Sequence, residues 1–257
     1  MEFIKQDCIL MSESNPLVFT ELCIRNCYKS EESMFQRPPQ VLIRKVIKRG
    51  HTSVLEHTGV YLVYTQNYVY NHYKYFIDNP YTDMRKEGNL WYIYTNLRVI
   101  AENDPDLLER ILKDDSTVKY FTPKDDDPYK RIAFRIITDH GQERSLLRHR
   151  WNSFTIESTR FINYLKRRGI SFIEWQGKRK NKWIYTLACK FSAFFYKLLI
   201  RLGETPEIAR SVLNLGHKTD IIMSAPRYKW HHFLDLRTAQ DAHPQIREIA
   251  EKIKQFI

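Results

Sequence analysis

The stretch that decides the fold is residues 148–161, RHRWNSFTIESTRF. Two arginines flank a histidine at its start, a third arginine follows at position 160, and hydroxyl and amide side chains lie between them. Guanidinium groups bind phosphate oxygens through paired hydrogen bonds, and hydroxyl groups donate to the oxygens that remain. The segment therefore favours a site for a phosphorylated ligand, although a solvated surface helix can have a similar composition.

The residues on either side of this segment predict a sheet. Residues 131–139, RIAFRIITD, are a strand candidate, and residues 142–148 have helical spacing and lead directly into the basic segment. A further strand is predicted at residues 60–70, which are rich in valine and tyrosine, and a short one at residues 171–175. The basic segment therefore belongs near the centre of the fold.

Most of the remaining chain has helical spacing. Helices are predicted at residues 17–28, 39–48, 89–112 (interrupted at Asp104-Pro105), 182–202, 206–213, 224–235 and 244–256. Gly50 is expected to end the second of these. Because no glycine-rich loop follows a predicted strand, a parallel dinucleotide-binding sheet is disfavoured. The prediction is an α+β fold, a central antiparallel or mixed sheet flanked by helices, in one domain spanning residues 1–257.

The charge of the chain implies an anionic partner. A formal charge of +11 suits nucleic acid, and it suits equally a site that holds several phosphorylated small molecules. The densest basic patches lie at residues 166–168 and 178–182, and a solvated surface is an equally good interpretation of both.

The cysteines and the apolar segments predict a cytoplasmic protein. The four cysteines lack the spacing of a zinc site or a disulfide framework, so we expect no metal and a reducing compartment. We also expect no export signal at the N-terminus. The most apolar stretch, residues 183–202, is interrupted by three basic residues, which predicts an amphipathic helix and no membrane span.

The basic segment resembles the signature of the flavin-dependent thymidylate synthases, which is Arg-His-Arg, seven residues and a serine. Residues 148–150 and Ser158 reproduce that pattern, and residues 158–161 resemble the family's Ser-x-Arg-Tyr with Phe161 in place of tyrosine. Residues 50–57, GHTSVLEH, residues 27–30, CYKS, the pair Ala209-Arg210 and residues 230–237, WHHFLDLR, resemble further elements in the same order. The resemblance extends over residues 27–247.

The resemblance implies a role for each matching residue. Flavin contacts are implied for Ser30, His51, Ser53, Glu56, Arg148, His149 and Arg150. A deoxyuridylate (dUMP) pocket is implied for Glu157, Ser158, Thr159, Arg160, Arg210 and Arg237. Within these sets, His51, Ser158 and Arg237 are the implied catalytic residues, and Arg237 would stabilise negative charge on the uracil ring.

The resemblance also implies a reaction and an assembly. The family methylates dUMP at C5 with methylenetetrahydrofolate as carbon donor, with NADPH-reduced FAD as hydride donor and without a cysteine nucleophile. Its fold is that of the thymidylate synthase complementing proteins. Its active sites lie between the subunits of a homotetramer, and it needs no nucleic acid and no membrane.

Four positions depart from the family pattern. Ser145 and Ile156 stand where the family has acidic or amide side chains, and Pro226 and Tyr228 replace an asparagine and an arginine. These changes affect flavin contacts and base recognition. They leave two alternatives open, which are a family member that acts on another pyrimidine nucleotide and, less favoured, a basic protein that binds nucleic acid.

Overall fold

The computed structural model describes residues 1–12, 15–167 and 169–257. The strands within those ranges are β1 (Glu2–Ile4), β2 (Asp7–Leu10), β3 (Gly59–Thr65), β4 (Asp83–Glu87), β5 (Leu90–Asn96), β6 (Arg131–Asp139), β7 (Ser153–Ile156), β8 (Ser171–Ile173) and β9 (Lys218–Pro226). The α-helices are α1 (Pro16–Tyr28), α2 (Pro39–Lys48), α3 (Gln66–His72), α4 (Leu97–Asn103), α5 (Pro105–Leu112), α6 (His140–Leu146), α7 (Lys182–Arg201), α8 (Pro206–Ala209), α9 (Arg227–Arg237) and α10 (Pro244–Lys254).

The main sheet has the strand order β2-β6-β9-β7, with every neighbouring pair antiparallel. The β6–β9 ladder is the longest and runs from Arg131 opposite Pro226 to Asp139 opposite Lys218. Strand β7 forms one edge of this sheet and pairs only its four residues with β9. The predicted α+β class with an antiparallel central sheet is confirmed, and the basic segment lies along the edge strand.

Apolar side chains form cores on both sides of this arrangement. Helices α9 and α10 cover the main sheet, where the fully buried Trp230 packs edge-on against Phe134. A second core joins α1, α2, α4 and α5 to the sheet β3-β5-β4. A third joins the inner face of α7 to β8, which pairs in parallel with β1. Each fully buried large side chain contributes on the order of 1.5–3 kcal/mol to folding.

Local sequence explains where helices α1 and α2 begin or end. The side chain of Asn15 accepts hydrogen bonds from the first amides of α1, and Pro16 occupies its first turn. The helix ends at Lys29, whose left-handed backbone (φ 48°) turns the chain sharply. Helix α2 ends as expected before Gly50 (φ 72°), a conformation that glycine adopts without steric cost.

Two predicted helices were wrong in part. Residues 224–226, assigned to a helix, are the end of β9, and the whole of this central strand was missed. It is buried along nearly all its length, so its apolar run lacks the alternation of a half-exposed strand. Residues 90–96 form β5 and not helix, because their aromatic and β-branched side chains suit a pleated sheet.

The other differences are small. The predicted strand at 60–70 ends at Thr65, and α3 follows it. Helix α6 begins and ends two residues earlier than predicted, so the residues from 147 form a turn into β7. In the basic patch at 166–168, Arg168 lies outside the described residues. Its neighbour Arg167 donates hydrogen bonds to the carbonyl oxygens of Tyr28 and Lys29.

Candidate functional site

The residues that follow β7 lie against the end of α1. The amide of Ser158 donates to the carbonyl oxygen of Cys27 at 3.0 Å. The ring of Phe161 lies 6.0 Å from that of Tyr28, whose hydroxyl is 3.2 Å from Nδ1 of His51. Contacts between residues far apart in sequence thus bring Ser158 and His51 into one neighbourhood.

Arg160 and Arg210, which directly follows helix α8, add two guanidinium groups to this neighbourhood. Nη1 of Arg210 donates to Oγ1 of Thr159 at 2.9 Å, and Nε of Arg160 pairs with Glu207 at 2.8 Å. Both arginines are exposed, and the Arg160–Glu207 pair is about half exposed, so a phosphate could displace Glu207 at little cost. We call these residues, with their neighbours above, the Ser158 cluster; its members are Tyr28, His51, Ser158, Thr159, Arg160, Phe161 and Arg210.

A second group of predicted residues lies before β7. Nε of Arg237, at the end of α9, donates to Nε2 of His149 at 2.8 Å, and its Nη2 donates to the carbonyl oxygen of Ser145. Burial, with the Arg237 charge beside it, lowers the pKa of His149 to about 4, so at neutral pH the ring accepts this hydrogen bond. We call Arg148, His149, Arg150 and Arg237 the Arg237 cluster.

Two arginines of this cluster are available to a ligand. Arg148 and Arg150 are exposed, and no described side chain or backbone oxygen pairs with either guanidinium. The buried amide nitrogen of Asn152 beside them likewise has no hydrogen-bond partner among the described residues. An oxygen of a ligand held by the two arginines could accept a hydrogen bond from this amide.

The two clusters lie before and after β7, whose four residues extend about 13 Å. Within one chain, therefore, no contact joins Arg237 to Ser158 in the described residues. Two of the implied flavin residues have arginine partners: the carboxylate of Glu56 pairs with Arg98 of α4, and the backbone carbonyl oxygen of Ser30 accepts from Arg25. Ser53 is exposed in the short 3-10 turn Thr52–His57.

Glu157 is directed into the protein, where it joins a charged network. Lys218 pairs with its Oε2 at 2.6 Å, and the hydroxyl of Tyr164 donates to its Oε1 at 3.0 Å. Asp220, from β9, accepts from both Lys29 (2.6 Å) and Arg135. Although burial opposes ionisation, these cations hold the pKa of Asp220 well below its usual range. The network lines a cleft of about 210 Å³ and fixes the strand end from which Ser158 emerges.

A neutral histidine, His57, connects β7 to the neighbouring strand β9. His57 lies between Ser224 on β9 and Thr155 on β7, with ring nitrogens 2.9 Å from each hydroxyl. Arg131 donates to the hydroxyls of Ser224 and Ser153. Burial, followed by the Arg131 charge, lowers the pKa of His57 to about 3. The ring is therefore neutral and can accept on one side and donate on the other, which links the edge strand to the sheet.

These buried histidines make the stability depend on pH. Burial lowers the pKa of His217 to about 3, as it does for His57, while an unfolded histidine titrates near 6.5. Below pH 6.5 the unfolded chain therefore binds protons that the folded chain does not. Stability should fall as the pH drops from about 6.5 to about 3, by up to about 1.4 kcal/mol per histidine and pH unit.

Urea midpoints measured from pH 7.5 to 4.5 test this. The variant His57→Gln, whose amide can both donate and accept between the same hydroxyls, should reduce the slope, whereas substitution of the exposed His231 should leave it unchanged. A midpoint that stays constant or rises on acidification would contradict the assignment.

Sequence reasoning missed the supporting residues. His57 was within the quoted 50–57 element and could have been singled out, and Arg131 and Arg135 stood out as charges within a predicted strand. Asp220 and Lys218 gave no signal because β9 was not predicted. The departures have structural partners of their own: Ile156 packs against the apolar core, and the hydroxyl of Tyr228 donates to Asp83.

The family comparison matches the half of the chain that contains the Arg237 cluster and most of the Ser158 cluster, without Tyr28 and His51. The family model described as "Thymidylate synthase complementing protein" matches residues 129–257. The chain belongs to this family. The match to the thymidylate synthase complementing proteins begins two residues before β6, continues past α10 to residue 257, and includes residues 148–161 and Arg237.

Individual relatives of the chain are named flavin-dependent thymidylate synthases. The flavin-dependent thymidylate synthase of Haloarcula marismortui is 28% identical over 134 residues, covering 42% of this chain and 54% of that protein. The flavin-dependent thymidylate synthase of Aquifex aeolicus is 30% identical over 131 residues, covering 44% and 41%. The chain thus matches about half the length of these relatives.

Among solved structures, the UMP/dUMP methylase PolB from Streptomyces cacaoi bound with 5-Br UMP is similar with a TM-score of 0.48. It shares 16% identity, and the match covers 99% of this chain and 89% of that one.

Proposed function

We propose that the chain methylates dUMP at C5 to form dTMP, as a flavin-dependent thymidylate synthase. The observation that carries the proposal is the pairing of Arg210 with Thr159 beside Ser158 and Arg160, in a member of this family. Two exposed guanidiniums and two hydroxyl side chains at one strand end supply the donors that a nucleotide 5′-phosphate requires.

Arg237 supplies the activating charge in this proposal. A fixed guanidinium beside the uracil oxygen stabilises the negative charge that develops when C5 becomes nucleophilic. His149 orients that guanidinium by accepting from Nε, which leaves Nη1 of Arg237 to face the substrate. Because the pKa of His149 is lowered to about 4, this support persists through the neutral range.

The cysteines support a mechanism without a thiolate nucleophile. Burial raises the pKa of Cys8 to about 12 and that of Cys27 to about 11, so both remain protonated at neutral pH. Cys23 and Cys189 are fully buried, and burial raises their pKa values too. The activation must then come from positioned charge.

The donors near the Arg-His-Arg segment fit FAD. Arg148 and Arg150 can bind the pyrophosphate, and the unpaired amide of Asn152 can donate to a flavin or phosphate oxygen. His51, exposed beside Tyr28, can border the ring system. When bound, reduced FAD supplies the hydride that completes the methyl group, with NADPH as reductant and methylenetetrahydrofolate as carbon source.

The separation of the clusters supports an assembly with shared sites. Since β7 lies between Arg237 and Ser158, one site can use both if the Arg237 cluster of one chain faces the Ser158 cluster of another. We therefore propose a homotetramer with active sites between subunits, located in the cytoplasm, where the four free thiols would remain reduced.

One observation favours a second substrate. The position two residues before Ser158 is Ile156, which packs into the apolar core and offers no carboxylate to the base. The enzyme could then accept another pyrimidine nucleotide, with the same phosphate contacts.

Nucleotide titration separates these substrates and tests the proposal. The purified chain supplied with FAD should absorb at about 450 nm, a property of the oxidised cofactor. Addition of dUMP should change the flavin fluorescence, and the dissociation constant should rise at least about tenfold in Arg210→Ala. A stronger response to UMP or dCMP would select the alternative substrate, and absence of flavin binding would refute the proposal.

A further inference from the structure

Helix α7 exposes a broad apolar face. At 100° per residue, its large exposed side chains fall in one stripe about 120° wide. We call this stripe the α7 face; its members are Trp183, Ile184, Leu187, Phe191, Phe194, Phe195, Leu198 and Leu202. Several of them are more than half exposed, among them Trp183 (65%) and Phe194 (57%). An exposed apolar patch of this extent marks a contact surface.

The opposite side of α7 is fixed to the protein. Cys189, Ala193 and Tyr196 are buried in the third core, where the Tyr196 ring lies 5.8 Å from that of Tyr164. Residues Arg179–Arg201 are long and apolar enough to cross a membrane, yet Lys190 and Lys197 lie beside the apolar stripe. The α7 face can therefore meet a surface from one side only, with the helix lying flat on it.

The charges around the α7 face indicate the sign of the charge on the surface that it contacts. From residue 175 to residue 203 the chain has no aspartate or glutamate, and it has seven basic residues. These are Lys178, Arg179, Lys180, Lys182, Lys190, Lys197 and Arg201. Pairing this face with the same face of a second copy would place cations against cations. A surface that has anionic groups outside and an apolar layer beneath them complements both the basic residues and the apolar stripe.

We propose that the α7 face binds the surface of an anionic phospholipid bilayer. The apolar side chains enter the boundary between headgroups and acyl chains, where tryptophan is favoured at the interface. The basic residues at the start of the helix contact lipid phosphates. The inference rests on α7 alone and is independent of the proposed methylation, because neither cluster contributes a residue to this face.

Vesicle co-sedimentation of the full chain tests the proposal. The protein should sediment with vesicles of phosphatidylcholine and phosphatidylglycerol, and less with phosphatidylcholine alone or at high salt. The triple variant Trp183→Ala/Phe191→Ala/Phe194→Ala should weaken binding by about tenfold or more. The variant Lys178→Gln/Arg179→Gln/Lys180→Gln removes three of the seven basic residues and should reduce the salt dependence.

A matched control removes exposed aromatic side chains elsewhere. Phe35→Ala/Tyr81→Ala, at positions 77% and 63% exposed, should bind vesicles like the parent chain. Circular dichroism establishes that each variant is folded. The proposal is overturned if the parent chain does not sediment with anionic vesicles, or if the α7 and control variants bind equally. It is also overturned if the α7 variants bind vesicles like the parent chain and differ from it only in oligomeric mass in solution. That result would assign the α7 face to contact with a second copy of the chain.

Discussion

Arg237→Ala should lower kcat by about 10²–10³-fold while FAD binding is retained, because the lost guanidinium stabilises charge that develops only in the transition state. The binding of FAD persists because Arg148 and Arg150, which have no partners among the described residues, remain in place. Steady-state kinetics and the flavin absorbance of the same preparation measure both quantities.

Two further variants sharpen this prediction. Arg237→Lys keeps a charge but loses the paired donors to His149 and Ser145, so it should recover only part of the rate. Arg201→Ala removes an exposed arginine that belongs to neither cluster and should behave like the parent enzyme. If Arg237→Ala turns over at the parent rate, its assigned role is wrong.

The largest loss of stability is expected from Asp220→Ala. Removal of this carboxylate takes the shared partner from Arg135 and from Lys29, whose side chain is 4% exposed and keeps only longer ion pairs with Glu157 (3.5 Å) and Glu31 (3.7 Å). A buried charge deprived of its partner typically costs about 3–5 kcal/mol. Urea unfolding at pH 7 should show a loss of this size in the free energy of unfolding.

An exposed ion pair provides the matched control. Arg44 and Glu109 form a hydrogen-bonded pair in which each side chain is over 40% exposed. Glu109→Ala should therefore cost less than about 1 kcal/mol. Equal losses in the two variants would show that the Asp220 network contributes no more than a surface pair.

The sequence predicted the elements whose pattern is local. Helix α2 and strand β6 have the predicted bounds, because a proline marks the entry of the first and a run of apolar and β-branched residues forms the second. Strand β9 could not be found in the same way. Its side chains are buried on both faces, so its apolar run has no period that separates it from a buried helix.

The site was predictable only in its composition. The motif at 148–161 named the arginines and hydroxyls, and the family match confirmed the membership that it implied. The pairing of Arg210 with Thr159 joins residues 51 positions apart, and Glu157 turns inward because Lys218 and Tyr164 surround it. Such partners are set by tertiary packing, which a pattern along the chain does not encode.

Product formation tests the central claim most directly. The purified chain, with FAD, NADPH and methylenetetrahydrofolate, is incubated with dUMP, and the nucleotide products are separated by chromatography. The account predicts dTMP that depends on all three additions and forms about 10²–10³-fold more slowly in Arg237→Ala. A flavin-loaded chain that binds dUMP but forms no methylated nucleotide would contradict it.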